Sequence, residues 1–357
     1  MTRIWLRWLP AAAVPAVIAA GVLAAPLQAG AAVDLPAKTP EQVLAMVAQS
    51  PVRAFSGTLE QTSQLGLPET PAIGPSSSAD AASSALDLLT GSHTARVYVD
   101  GPSNVRVQVM DSLAERDVIR HGTDVWLYSS SDRTATHLTL PAHTGKGDAA
   151  DGDGAAPGGM QTPGQLAQRL LAAVEPSTRV TVGTDTSVAG RTAYDLVLTP
   201  RSPVTLVGSV SIAVDSKTGL PLSVEVRARG QQDPAFRLAF SALSLDKPSA
   251  DLFTFTPPPG ATVKRQPLPT HDSTAPSRGA LPRPAVSGSG WETVVQVPAG
   301  AVPPDILSSP LLMGAAKPVA GGRLLSTSLV NALLTSDGRL FVGAVPADRL
   351  QAAASGQ

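Results

Sequence analysis

Between Thr94 and Leu140 apolar and polar residues alternate with a period of two, the spacing of strands that bury one face. Arg96–Asp100 puts Val97 and Val99 on one side, and Val105–Val109 does the same with Val105, Val107 and Val109. Gly101-Pro102-Ser103-Asn104 between them is turn chemistry. Arg116–Arg120, Val125–Tyr128 and Ala135–Leu140 extend the run through equally short connections, which force antiparallel neighbours. The pattern predicts a meander with one apolar face that something must cover.

The period changes to that of a helix twice. Thr39-Pro40-Glu41-Gln42 supplies a cap, a first-turn proline and a capping-box glutamine ahead of Val43, Leu44, Met46 and Val47. Thr162-Pro163-Gly164-Gln165 repeats that opening before Leu166, Leu170, Leu171 and Val174. Each helix stops near a proline and is followed by strands, which predicts two amphipathic lids over one sheet. Strands are predicted at Phe55–Thr62, Arg179–Val182, Ala193–Thr199, Gly208–Asp215, Leu222–Arg229 and Ala235–Leu245. After Phe253–Thr256, three consecutive prolines from Pro257 mark the end of the sheet at an edge.

Residues 65–85 and 143–160 have loop composition, and residues 265–289 that of a linker. A smaller unit over 290–357 is predicted to hold strands at Trp291–Val297, Leu324–Leu334 and Arg339–Val345, with a final helix over Asp348–Ala354. Thr335-Ser336-Asp337-Gly338 is its hairpin signal. The linker predicts two units with few shared contacts.

Composition narrows the setting. Hydrophobic residues make up 43% of the 357, enough for one large core or two modest ones. Residues 1–31 read as a signal peptide: Arg3 and Arg7, an apolar run interrupted by prolines, then Ala29-Gly30-Ala31. Zero cysteines exclude disulfides, thiolate metal sites and lipid anchoring through cysteine. A formal charge of −1 argues against nucleic acid as the main partner. An exported protein in the periplasmic or extracytoplasmic space, soluble once cleaved, is the expectation.

Catalytic spacings are absent: no G-x-S-x-G, no phosphate-binding glycine loop, no H-E-x-x-H. His93, His121, His137, His143 and His271 are scattered, and Asp148–Gly154 lacks the glutamate a calcium loop requires. The reading is therefore of a non-enzymatic monomer with no cofactor and no metal. What the pattern offers instead is an apolar concavity, poor in bulky aromatic filler. Its candidate lining is Val43, Leu44, Val47, Phe55, Val97, Val99, Val105, Val107, Val109, Trp126, Leu166 and Leu170.

Phe55–Thr62, Asp100-Gly101-Pro102, Asp124–Tyr128 and Phe253–Val263 (FTFTPPPGATV) resemble the periplasmic lipoprotein carrier family, LolA, in order and spacing over residues 39–264. Leu113–Arg120 and the C-terminal unit resemble RseB/MucB, in which a LolA-like domain is joined to a smaller one that grips an anti-sigma factor. The resemblance implies a mainly β (α+β) fold: an unclosed antiparallel β-barrel with a helical lid over 32–264, plus a small C-terminal β-rich unit. It implies a carrier or chaperone for lipid or lipoprotein acyl chains, with a membrane transporter or an anti-sigma protein as possible partner. The alternative it implies is an envelope-stress regulator. The family places an Arg directly before the meander proline to hold the lid shut, and here that position is Gly101.

Overall fold

The computed structural model describes residues 34–66, 91–110, 115–140, 162–172, 177–265, 284–301 and 314–356. The expected signal peptide, the residues from 67 to 85, the stretch 143–160 and most of the expected linker lie outside the described residues.

The meander forms as its alternation predicts. Strand β1 (Ala54–Ser63) is followed by β2 (Gly91–Asp100), β3 (Asn104–Met110), β4 (Glu115–His121), β5 (Asp124–Ser129) and β6 (Thr134–Thr139). Next come β7 (Thr178–Val182), β8 (Thr186–Val188), β9 (Arg191–Pro200), β10 (Val207–Asp215), β11 (Pro221–Ala228) and β12 (Pro234–Ser244). Together with β13 (Thr262–Arg265) they make one 13-stranded sheet, ordered β13-β6-β5-β4-β3-β2-β1-β12-β11-β10-β9-β7, with β8 paired to β9. The two ends of this path do not pair, so the sheet is open and not a closed barrel. All pairings are antiparallel except β13 with β6, which runs parallel after the three prolines.

Two helices lie on the sheet, α1 (Pro40–Ala48) and α2 (Pro163–Ala172). Both capping boxes are present. The Thr39 amide donates to Gln42 Oε1 at 3.0 Å and the Gln42 amide to Thr39 Oγ1 at 3.4 Å. The Thr162 and Gln165 pair does the same at 3.0 and 3.2 Å. Such a cap satisfies amides that have no partner within the helix, and is worth about 1 kcal/mol. Among the described residues α1 rests on β7 and β9, and α2 on β11 and β12.

Gly57 shows how tightly the sheet packs where it turns over on itself. A Cβ there would stand 2.5 Å from the Ala242 carbonyl oxygen and 2.8 Å from the Phe240 ring. Without it the Phe240 ring settles at 5.9 Å and near right angles to Phe55, an edge-to-face contact. Gly219 has φ +70°, and a Cβ there would meet the Met46 carbonyl oxygen at 2.1 Å. That glycine lets the β10–β11 turn close against the end of α1.

The C-terminal unit is a second, six-stranded antiparallel sheet. Its strands are β14 (Ala285–Ser287), β15 (Val294–Val297), β16 (Lys317–Val319), β17 (Gly322–Ser326), β18 (Asn331–Thr335) and β19 (Leu340–Gly343), in the order β14-β15-β19-β18-β17-β16. Helix α3 (Ala347–Ser355) packs on β18 and β19. Its core is Val294, Leu324, Leu333, Phe341, Val345 and Leu350. The stretch expected as one strand over Leu324–Leu334 is two. Residues Thr327–Val330 form a tight turn in which the Thr327 hydroxyl accepts from the Val330 amide at 2.9 Å.

The two sheets touch through contacts that a linker composition does not foretell. The Leu206 amide donates to the Ala344 carbonyl at 2.8 Å, and the Thr205 hydroxyl to the same oxygen at 2.8 Å. Trp291 Nε1 donates to Thr178 Oγ1 at 2.8 Å. The Ser328 amide donates to the Leu65 carbonyl at 3.0 Å. Ser202 donates to Glu292, which also pairs with Arg349 at 3.3 Å.

Candidate functional site

The register builds the candidate site row by row. Cross-strand partners share a face, so Gly57, Val97, Val107, Val118 and Leu127 form one apolar row across five strands. Phe55, Val99, Val105, Arg120, Val125 and Leu138 form the next. A third begins with Leu59, Ala95 and Val109, and turns polar at Arg116 and Ser129. The same face continues through Leu238, Val224, Ile212 and Leu196 to the strands beneath the helices.

Two apolar clusters occupy this face. One holds Phe55, Leu59, Ala95, Val97, Val107, Val109 and Phe240, with Val99 and Val105 packed at its margin. The other holds Val43, Val47, Ala167, Leu196, Ile212 and Val224, with Leu44 at its margin. Leu166 of α2 touches both. The structure thus brings ten of the twelve predicted lining residues into two abutting clusters. Leu170 belongs to α2, but its side chain lies outside the described residues.

Trp126 stands elsewhere. Its cross-strand partners are Ile119 and His137, a row on the opposite face. There it stacks on His137 at 4.4 Å and meets Phe255 at 5.4 Å, with Tyr128 5.7 Å from the same Phe255 ring. A strap of chain from Ala250 to Phe255 covers this second face before the chain joins the sheet edge as β13. Phe253 is 2% exposed within it. The Leu252 carbonyl accepts from Arg106 at 3.2 Å, and Arg106 is paired with the buried Asp117 at 2.5–3.2 Å. Sequence reading missed the strap. The signal available was Val125-Trp126-Leu127-Tyr128, apolar on both sides of the strand, which only a sheet covered on both faces accommodates.

At the turn where the resemblance expects an Arg latch, Gly101 has φ +73°. Its amide donates to the Arg53 carbonyl at 2.8 Å. Arg53 Nη1 donates in turn to the Ser50 carbonyl at 2.9 Å, just past the end of α1. The β2–β3 turn is therefore tied to the first helix through Arg53.

Asp195 is the most perturbed carboxyl. Burial and the neighbouring Glu225 carboxylate push it up to about 6, against the pull of Arg227 and a Ser211 hydrogen bond. The folded protein therefore binds this proton more tightly than the unfolded chain does, and its contribution to stability falls as pH rises from about 4 to about 6. Asp195→Asn is expected to remove that dependence. The variant should be more stable than the parent at pH 7 by on the order of 1–3 kcal/mol, with the gain fading toward pH 4. Urea midpoints at the two pH values check it, and an equal gain at both would refute it.

Among the described residues no group of three or more His, Asp or Glu side chains comes together to hold a metal ion. Among them no helix is long and apolar enough to cross a membrane.

No family model and no curated protein matches the chain. Solved structures do, at low identity. A MucA/MucB complex from Pseudomonas aeruginosa has a TM-score of 0.43 at 16% identity, over 87% of this chain and 95% of that one. A LolA superfamily protein from Nitrosomonas europaea has a TM-score of 0.25 at 14% identity, over 61% of this chain and 99% of that one. A conserved protein from Thermus thermophilus has a TM-score of 0.35 at 13% identity, over 63% and 98%.

Proposed function

We propose that the protein is an extracytoplasmic carrier or chaperone that holds the acyl chains of lipid or lipoprotein on the concave face of its open sheet. One observation supports this above all. The apolar rows run on past the two helices onto β2–β5, where Val99, Val105, Val118 and Leu127 are only half-buried. The two helices rest chiefly on β7, β9, β11 and β12 instead. An aliphatic chain laid along the rows would gain about 0.8 kcal/mol per buried methylene. The two helices are short, nine and ten residues, and a shift of such lids would admit it.

A second reading takes the protein as a regulator, in which lipid on the sheet alters the grip on a membrane signalling protein such as an anti-sigma factor. The docked six-stranded sheet favours it, since a simple carrier has no need of one.

Val118→Asn tests the proposal. Val118 is half-buried, so the stability loss should stay within about 1 kcal/mol. Uptake of a fluorescent fatty acyl probe should fall about tenfold, because the chain would leave the amide unpaired. Gln108→Asn, on the opposite face, should leave uptake unchanged. Failure of the unaltered protein to take up the probe would end the acyl reading.

A further inference from the structure

We infer that the acyl ligand carries an acidic headgroup, a carboxylate or a phosphate, and that Arg116 and Arg120 of β4 clamp it above Val118. This rests on the acyl reading above and narrows it. The register divides the charges of the meander by face. Glu60, Asp100, Glu115, Asp117 and Asp124, the acids of β1–β6, all stand on the face away from the apolar rows. On the concave face those strands carry no acid, and their arginines there are Arg116 and Arg120. Both are half-buried, as is Val118 between them.

Residues four apart on a strand share a face and stand about 13 Å apart, so the two arginine arms can lean together over the valine. The cross-strand neighbours of Arg120 are Val105 and Val125, and those of Arg116 are Val109 and Ser129. Arg120 Nε donates to the Gly122 carbonyl at 3.1 Å, a neutral partner. Asp132, in the β5–β6 turn, is engaged by the hydroxyls of Ser129 and Ser131. A guanidinium keeps its charge, and an aliphatic chain laid beside it removes water from it. An uncharged ligand therefore leaves two cations poorly solvated on a face with no acid in its strands to answer them. An acidic headgroup answers both, through paired N–H···O bonds that suit carboxylate and phosphate alike.

The test compares ligands of one chain length with and without the acid. The full mature chain, loaded with an uncharged fluorescent acyl probe, is titrated with oleate against oleyl alcohol, and with oleoyl lysophosphatidate against monoolein. Each acid should displace the probe at about tenfold lower concentration than its neutral counterpart. Salt at about 1 M should narrow the gap. Arg116→Gln with Arg120→Gln should bring the acids to the neutral level and leave the neutral ligands where they were. Arg116→Lys with Arg120→Lys should keep part of the preference, since the charge remains and the fork does not. A preference in only one pair supports the clamp and identifies the headgroup as carboxylate or phosphate. Equal displacement by acid and neutral counterpart in the unaltered protein would overturn the clamp and leave the acyl reading intact, and that comparison needs no variant to fold. A preference that survives the double glutamine variant would overturn it too. No displacement by any of the four ligands would remove both readings.

Discussion

Phe253→Ala is expected to cost about 3–5 kcal/mol of stability, among the largest losses from any single truncation in the main sheet. Phe253 is 2% exposed and belongs to the strap that crosses β3 and β4 on the face away from the helices. Its ring fills space that no other described side chain of the strap reaches so deeply, and the backbone carries the Leu252 carbonyl that receives Arg106. Loss of the ring leaves a void between the strap and strands β3 and β4, and voids in a packed interior collapse only in part. Val263→Ala, further along in the edge strand β13 and 48% exposed, should change stability by less than about 0.5 kcal/mol. Urea denaturation of both variants measures the contrast. Equal, small losses would mean that the strap lies on the sheet without holding it.

The same strap shows where sequence reasoning reached and where it stopped. Local rules were sufficient for the helices, because a capping box depends only on residues three apart, and Thr39 with Gln42 and Thr162 with Gln165 satisfy it. They were sufficient for the meander too. Alternation assigned Val97, Val99, Val105, Val107 and Val109 to one side, and the register keeps them there. Trp126 was misplaced because an aromatic residue in an apolar strand says nothing of which face it serves when both are covered. The cover comes from residues more than a hundred positions away. The Thr327–Val330 turn was illegible for a related reason. The run from Leu324 to Leu334 reads as one strand, with Ser326-Thr327-Ser328 and Asn331 among its apolar residues. That this interruption docks on Gln64 and Leu65 is a long-range fact with no local signature.

Arg106→Met should be nearly as damaging as Phe253→Ala, and its pH dependence identifies the cause. Asp117 is 2% exposed and Arg106 19%. Burial raises the Asp117 carboxyl above the ordinary aspartate range even though Arg106 pulls it down. Removing the guanidinium leaves a buried carboxylate with its partner gone, a loss of about 3–5 kcal/mol near neutral pH. The carboxyl then favours its protonated form more strongly in the folded protein, so its folded pKa rises further above the unfolded value. Stability linked to such a group is present below the unfolded pKa and is lost as pH rises through the folded one. The deficit of Arg106→Met should therefore be greatest at pH 7 and shrink as pH falls toward the ordinary aspartate range. Replacing both partners, Arg106→Met with Asp117→Leu, should recover most of the loss at pH 7, because an apolar pair of similar volume carries no charge to strand. Chemical denaturation of the single and double variants at two pH values decides the matter. A deficit that is the same at both, and that the double variant does not relieve, would place the damage in lost packing of the arginine stem and not in the stranded charge.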